Sequence, residues 1–405
     1  MSREKGFVEP GPRETFAEEM GRIPFERLLG VARDARPTRV ERALVADPME
    51  RTLEDFAALL SPAAGKRLED LAHASRRVTV ARFGRTMQMY APLYLSNLCL
   101  STCIYCGFAR PLLIQRRTLS VEETLREARH LLAQGFRSIL LLTGEHERDA
   151  GVDFLVERIS ALSPEVPQIS VEVQVWSEEQ YGRLVEAGCE GVTIYQETYH
   201  PETYAQVHLA GRKRRYAWRL LGPERAVRAG MRRIGLGALL GLHPEWRYEA
   251  IAVAAHARFL MRHYWRSQVS VSIPRLRPSE SVFRPERPVS DRDLTQYVCA
   301  LRLMLPDVGL VASTREPAPL RDGLSRVGIT RTSAGSATEP GGYEEPGEAG
   351  EQFEIADQRS AAEVATRLRE MGYEPVWEDW VSPSGADERM LTGRGVSFSR
   401  GLGRT

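Results

Sequence analysis

MQMYAPLYLSNLCLSTCIYCGF, residues 87–108, is the stretch on which the reading of the whole chain turns. Its start, MQMYAPLYL, is a strand candidate, and the polar loop that follows carries Cys99, Cys103 and Cys106 in a C-x3-C-x2-C spacing. The same alternation continues toward the C-terminus. Further strand candidates are SILLLT, ISVEVQV, GVTIY, IGLGALLGL, QVSVSI, GLVAST and RVGIT. Between them lie VEETLREARHLLAQG, DFLVERISAL, SEEQYGRLVEAG, PERAVRAG, YEAIAVAAHARFLMRHYW and DRDLTQYVCALRLML, each with apolar residues at helical spacing. Ser120 and Glu123 predict a capping box on the first of these helices. About eight βα units in tandem predict an α/β fold, a closed parallel (β/α)8 barrel of TIM type, in preference to a doubly wound open sheet.

On the N-terminal side, RTLEDFAALL and GKRLEDLAHASRR read as helices broken by SPAAG, so residues 1–80 are expected to form a helical N-terminal extension and residues 81–338 the barrel. From residue 339 the texture changes. EPGGYEEPGEAGEQF, rich in Gly, Pro and Glu, predicts a loop across the barrel mouth. It opens a short C-terminal extension, 339–405, with a helix at AAEVATRLREMG leading into EPVWEDW and a mobile tail, GRGVSFSRGLGRT.

The 405 residues carry 55 basic and 54 acidic side chains, a net charge of +1, which gives no electrostatic reason to expect nucleic acid or an anionic membrane as a partner. Lysine is confined to Lys5, Lys66 and Lys213, and the abundance of arginine reads as genomic composition. The first residues lack the apolar segment of a secretory signal, and no apolar run is long enough to cross a bilayer, so a cytoplasmic location is expected. Five cysteines, three of them within eight residues, do not make a disulfide framework.

Three thiolates from one short loop can hold three irons of a cubane and leave the fourth iron free for an exchangeable ligand. Zinc is the structural alternative. It normally takes four protein ligands, and no nearby His or Cys supplies the fourth; Cys189 and Cys299 lie in apolar, helix-like settings that read as core. The second strand candidate ends in LLLTGEHE, which places Gly144 and Glu145 at the same barrel end as the cysteine loop.

The cysteine loop after a first strand resembles the radical SAM superfamily, in which the open iron binds the amino and carboxylate groups of S-adenosylmethionine (SAM). That resemblance implies a [4Fe-4S] cluster on Cys99, Cys103 and Cys106, contact of Tyr105 with the SAM adenine, and an ammonium site made by Gly144 and Glu145. A closer resemblance extends from about residue 80 to residue 380. PLYLSNLC, CIYCGF, LLLTGEH, VEVQ, YQETYH, WRL at 218–220, GLGALLGL, SIPRLRP, STRE, PGGY, EQF and PVWEDW are similar, in order, to the 2-iminoacetate synthase family, the tyrosine lyases of thiamine biosynthesis. The family implies that a 5'-deoxyadenosyl radical takes a hydrogen from the amino group of L-tyrosine. Cleavage of Cα–Cβ then yields p-cresol and 2-iminoacetate. It also implies delivery of the imine to a thiazole synthase partner and reduction by flavodoxin or ferredoxin.

Such chemistry needs an apolar pocket with a few polar groups that orient the amino acid. Arg315 in STRE suits a bidentate grip on the substrate carboxylate, set against a rim ion pair with Glu316. Tyr94 and Ser333 match polar substrate positions of related lyases. Glu172, on one face with Gln174, and Arg219 match positions near the SAM ribose and carboxylate, with a solvated rim as the plain alternative. Arg275 and Arg277 alternate along SIPRLRP, so at most one should face inward. The hydrogenase-maturation relative of the family needs further cysteines near the C-terminus, and none follows Cys299. A tryptophan lyase and a zinc-stabilised non-catalytic scaffold are the remaining rivals.

Overall fold

A computed structural model describes residues 14–378. Eight parallel strands close on themselves. They are β1 (Thr86–Ser96), β2 (Ser138–Thr143), β3 (Gln168–Glu172), β4 (Gly191–Glu197), β5 (Arg233–Ala238), β6 (Gln268–Ser272), β7 (Gly309–Ala312) and β8 (Arg331–Ser333). Each pairs in parallel with the next, and β1 completes the circle by pairing with β2 through Ala91–Ser96 and with β8 through Gln88–Tyr90. The helices between strands cover the outside, as a βα repeat requires. The capping box on the helix Val121–Ala133 forms as expected, with the Glu123 amide donating to Ser120 Oγ and the Ser120 amide to the Glu123 carboxylate.

The eighth strand lies later than RVGIT. Arg326 and Val327 end a helix, Ala318–Val327, that the sequence reading missed, and the ladder begins at Thr330, which donates to Leu310 and accepts from Gln88. The run is apolar and β-branched, yet its Gly328 closes the helix through a bond to Leu324 O. Two other apolar runs overshoot their strands: β3 stops at Glu172 and β5 at Ala238, because a buried loop and a buried strand carry the same kind of residues.

The N-terminal helices do not stand apart. Leu68–Phe83 spans residue 80 and packs on the helices Asp291–Met304 and Ala318–Val327, and one hydrophobic core runs from Phe16 to Tyr373. SPAAG contains its own turn of helix, Pro62–Gly65, capped by Ser61. After the helix Ala361–Glu370, a ninth strand, β9 (Glu374–Val376), pairs with Thr86–Gln88 of β1. Gln88 also pairs with Arg331, so β9 occupies the edge that β2 uses higher up. The last two residues of PVWEDW and the predicted tail lie outside the described residues. Among the described residues, no helix is long and apolar enough to cross a membrane.

Candidate active site

The loop after β1 carries the three cysteines at the C-terminal end of the barrel, where barrel enzymes place their chemistry. Its shape is held by half-buried polar contacts. The Arg116 guanidinium donates to the carbonyls of Asn97, Phe108, Ala109 and Leu112 at 2.7–3.2 Å. Cys103 bridges His208 in antiparallel fashion, and Ile104 and Thr102 donate to the Val207 and Ala210 carbonyls. Gly144 is required by close approach, since a Cβ there would collide with the Leu98 carbonyl, while its amide donates to Ser96 O.

Cys99, Cys103 and Cys106 are free thiols, and the Phe108 amide donates to Cys106 Sγ at 3.4 Å. Burial pushes all three thiols up; Cys99 reaches about 11, with Cys106 and Glu145 adding to the shift. Such thiols ionise when a cation replaces their protons. Among the described residues, no three His, Cys, Asp or Glu side chains converge where a single metal ion could sit. Three thiolates that each meet a different iron of a cubane need no such convergence, so this donor set fits a [4Fe-4S] cluster. Cys189 and Cys299 are buried elsewhere, Cys189 Sγ on Gly191 O and Cys299 among Val40, Ala64 and Leu71.

Beside the loop lies a buried charge chain. Arg219 Nη1 donates to Glu145 Oε1 at 3.0 Å and its Nε to Tyr195 O at 2.6 Å; Ser101 Oγ donates to Glu145 Oε2 at 3.1 Å. Lys213 Nζ donates to Glu197 Oε1 at 2.6 Å. Glu197 sits on the β4 bulge with φ +70°, the one positive φ of a non-glycine among the described residues. Burial alone would raise the Glu197 carboxyl, but Lys213 and Arg219 outweigh it and hold the group below its ordinary range. Burial opposes the Lys213 ammonium, and Glu197 more than compensates. The Tyr105 hydroxyl donates to His208 Nε2 at 2.9 Å, because His208 Nδ1 gives its proton to Tyr204 O. Burial, reinforced by Lys213, lowers His208 to about 3 and keeps it neutral.

Opening beside Cys106 is a solvent-accessible cavity. Tyr105, Glu172 and Arg315 line it, together with Tyr195, Arg277 and Phe353. Arg315 lies over the Phe353 ring, 3.3 Å from its centroid, and is in no ion pair among the described residues; Glu316 is taken instead by Arg275. Of the alternating arginines, Arg277 is therefore the inward one. Burial pushes Glu172 up to about 7 against the pull of Arg315. Gln174 is buried with neither amide atom hydrogen-bonded.

EQF, 351–353, roofs the cavity: Gly107 donates to Gln352 O, Asn97 Nδ2 to Gly350 O, and Ala356 and Asp357 to Thr314 O. The expected crossing of the barrel mouth is thus observed. Tyr94 and Ser333 are not among the residues that line the cavity. Tyr94 OH donates to Gln352 Oε1 at 2.7 Å, which places it one residue behind the lining, and Ser333 Oγ accepts the Thr314 amide. Sequence reasoning missed Glu197, Lys213, Arg116 and Gln352. For Lys213 a signal existed, as a lysine is rare in this arginine-rich chain.

Residues 93–254 match the Radical SAM superfamily, and residues 272–374 match the Biotin and Thiamin Synthesis associated domain. The 2-iminoacetate synthase of Escherichia coli (strain K12) is 42% identical over 378 residues, covering 93% of this chain and 100% of the relative. The chain belongs to the 2-iminoacetate synthase family. The enzyme of that name from Salmonella typhimurium is 43% identical over 91% of this chain and 97% of its own length. A crystal structure of HydG, a maturase of the [FeFe]-hydrogenase, superposes with a TM-score of 0.81 at 31% identity, over 91% of this chain and 81% of that one. As a radical SAM carbon–carbon lyase of this family, the protein uses a [4Fe-4S] cluster and SAM.

Proposed function

We propose that the protein cleaves the Cα–Cβ bond of L-tyrosine to p-cresol and 2-iminoacetate for the thiazole of thiamine, with Cys99, Cys103 and Cys106 holding the cluster. The observation that carries this reading is the juxtaposition of the cysteine loop with a cavity in which Glu172 and Arg315 are in no ion pair among the described residues. When bound, the cluster and SAM supply a 5'-deoxyadenosyl radical, which is strong enough to take a hydrogen from an amino group.

The chain's own residues orient and enclose. Arg315 presents a planar fork to the substrate carboxylate, and its stacking on Phe353 fixes the direction of that fork. Tyr94 acts on the amino acid through Gln352 or beside it, and Ser333 fixes the Thr314–Arg315 turn from which the arginine projects. Gly144 and Glu145 form the SAM ammonium site, Tyr105 the wall for adenine, and Glu172 and Arg219 the polar groups near ribose and carboxylate. The unpaired amide of Gln174 supports a polar ligand along that face. The roof at 351–353 excludes water from the radical. A thiazole synthase receives the imine, a flavodoxin or ferredoxin supplies the electron, and the enzyme works in the cytoplasm.

Anaerobic incubation of iron-loaded protein with SAM, a reductant and either tyrosine or tryptophan tests the assignment. p-Cresol and 5'-deoxyadenosine are expected from tyrosine; an indolic acid from tryptophan alone, or a colourless protein that takes up only zinc, would overturn it. In the same assay, Cys103→Ala should abolish deoxyadenosine formation.

A further inference from the structure

Reduction of the cluster requires one electron from outside, and the cysteine loop itself forms part of the molecular surface. Leu100, between Cys99 and Ser101, is 44% exposed, and Leu209 is 54% exposed. The two are neighbours in space. Thr102 donates to Ala210 O, a Cβ at Gly211 would abut Ser101, and the bridge between Cys103 and His208 joins the two segments back to back. The platform therefore sits on the same paired segments that carry Cys99 and Cys103.

Around the platform the charge is unbalanced. Arg110, whose amide donates to Ser101 O, is exposed, as are Arg212, Arg214 and Arg215 of the adjoining turn. Arg148, next in sequence to the Glu147 that pairs with Arg212 at 2.7 Å, adds a fifth exposed cation; Glu147 and Asp149 are the acids beside it. Five cations against two acids leave +3 on one face of a chain whose net charge is +1. Exposed leucines ringed by arginine mark a protein interface more than a solvated loop.

We propose that Leu100 and Leu209, ringed by Arg110, Arg212, Arg214 and Arg215, are the docking surface for an acidic flavodoxin that reduces the cluster. The surface rests on the cluster assignment made above. An acidic carrier is steered to the arginines, which raises its association rate at low salt. The aliphatic platform suits a flavin, whose exposed dimethylbenzene edge is apolar. In the transfer the carrier is oxidised by one electron and the cluster is reduced by one, with no atom exchanged.

The test compares two reductants on the iron-loaded, full-length enzyme. Deoxyadenosine formation is followed with photoreduced flavodoxin or with dithionite, for the parent protein, Leu209→Asp and the double variant Arg110→Glu/Arg214→Glu. With flavodoxin both variants should need at least about tenfold more carrier for half-maximal rate, and raising salt should weaken the parent enzyme's dependence in the same way. With dithionite their rates should match the parent's.

Unchanged flavodoxin dependence in both variants would overturn the docking surface and leave the enzyme assignment intact. Loss with a ferredoxin but not with flavodoxin would assign the face to the other carrier and overturn the proposal as stated. If dithionite-driven turnover or iron content also falls in one variant, the other variant decides. A parent protein inactive with dithionite would instead sink the enzyme reading itself.

Discussion

The two sides of the barrel mouth use charge in opposite ways. Toward the cysteine loop, Glu145, Arg219, Glu197 and Lys213 are buried or nearly so and mutually paired, with Ser101 and Tyr195 O adding further bonds. Toward β3 and the loop after β7, Glu172 and Arg315 border the cavity and are in no ion pair among the described residues. A paired charge is held in place: its partner fixes its direction, so the lone pairs or N–H groups it keeps free meet a ligand already oriented. An unpaired charge in a cavity is poised to bind, and its cost in the empty protein is offset when a ligand of the right sign arrives.

The largest effect that sharpens this contrast is expected from Arg219→Leu. It leaves Glu145 and the Tyr195 carbonyl without their main partner, so it should cost about 3–5 kcal/mol of stability, read as an earlier urea midpoint under anaerobic conditions and as poorer iron uptake. Arg315→Ala should behave differently. It removes one ring contact, worth about 1 kcal/mol or less, but should lower p-cresol formation on the order of 100-fold by loosening the substrate. SAM cleavage should continue uncoupled. If Arg315→Ala destabilises the protein as much as Arg219→Leu does, the two sides are not different in kind.

The smallest effect concerns Glu172. Its carboxyl is raised from 4.5 to about 7, so the folded state favours the protonated form. The stability this contributes is fully present below pH 4.5 and is lost as pH rises through 7. Glu172→Gln has no such loss, so its melting temperature should gain on the parent's between pH 5 and pH 8. A constant difference across that range would mean that Glu172 is already paired or solvated.

Much of this contrast was legible beforehand, for identifiable reasons. The barrel followed from the βα alternation, and the cysteine loop from its spacing and its place after a strand. Arg315 was separable from Glu316 only in three dimensions, because the competing partner, Arg275, lies 41 residues away in sequence. Glu197 escaped because nothing local marks it and its place depends on a bulge, whereas Lys213 was marked only by its rarity, its place depending on a turn that folds back onto the loop. Tyr94 and Ser333 were placed near the site by resemblance, and their hydroxyls turn out to serve Gln352 and Thr314. The ninth strand was hidden by its brevity and by Pro375, which sits where an edge strand tolerates it.

The long first strand has a consequence for how the polypeptide matures. β1 and its cysteines emerge early in synthesis, yet the partners of Thr86–Tyr90 are residues 331–333 and 374–376. Contacts of such sequence separation form slowly, and until they form the nascent cysteine loop stands on a half-zipped ribbon. Iron insertion into a correctly shaped site must therefore wait until nearly all of the described chain has been made.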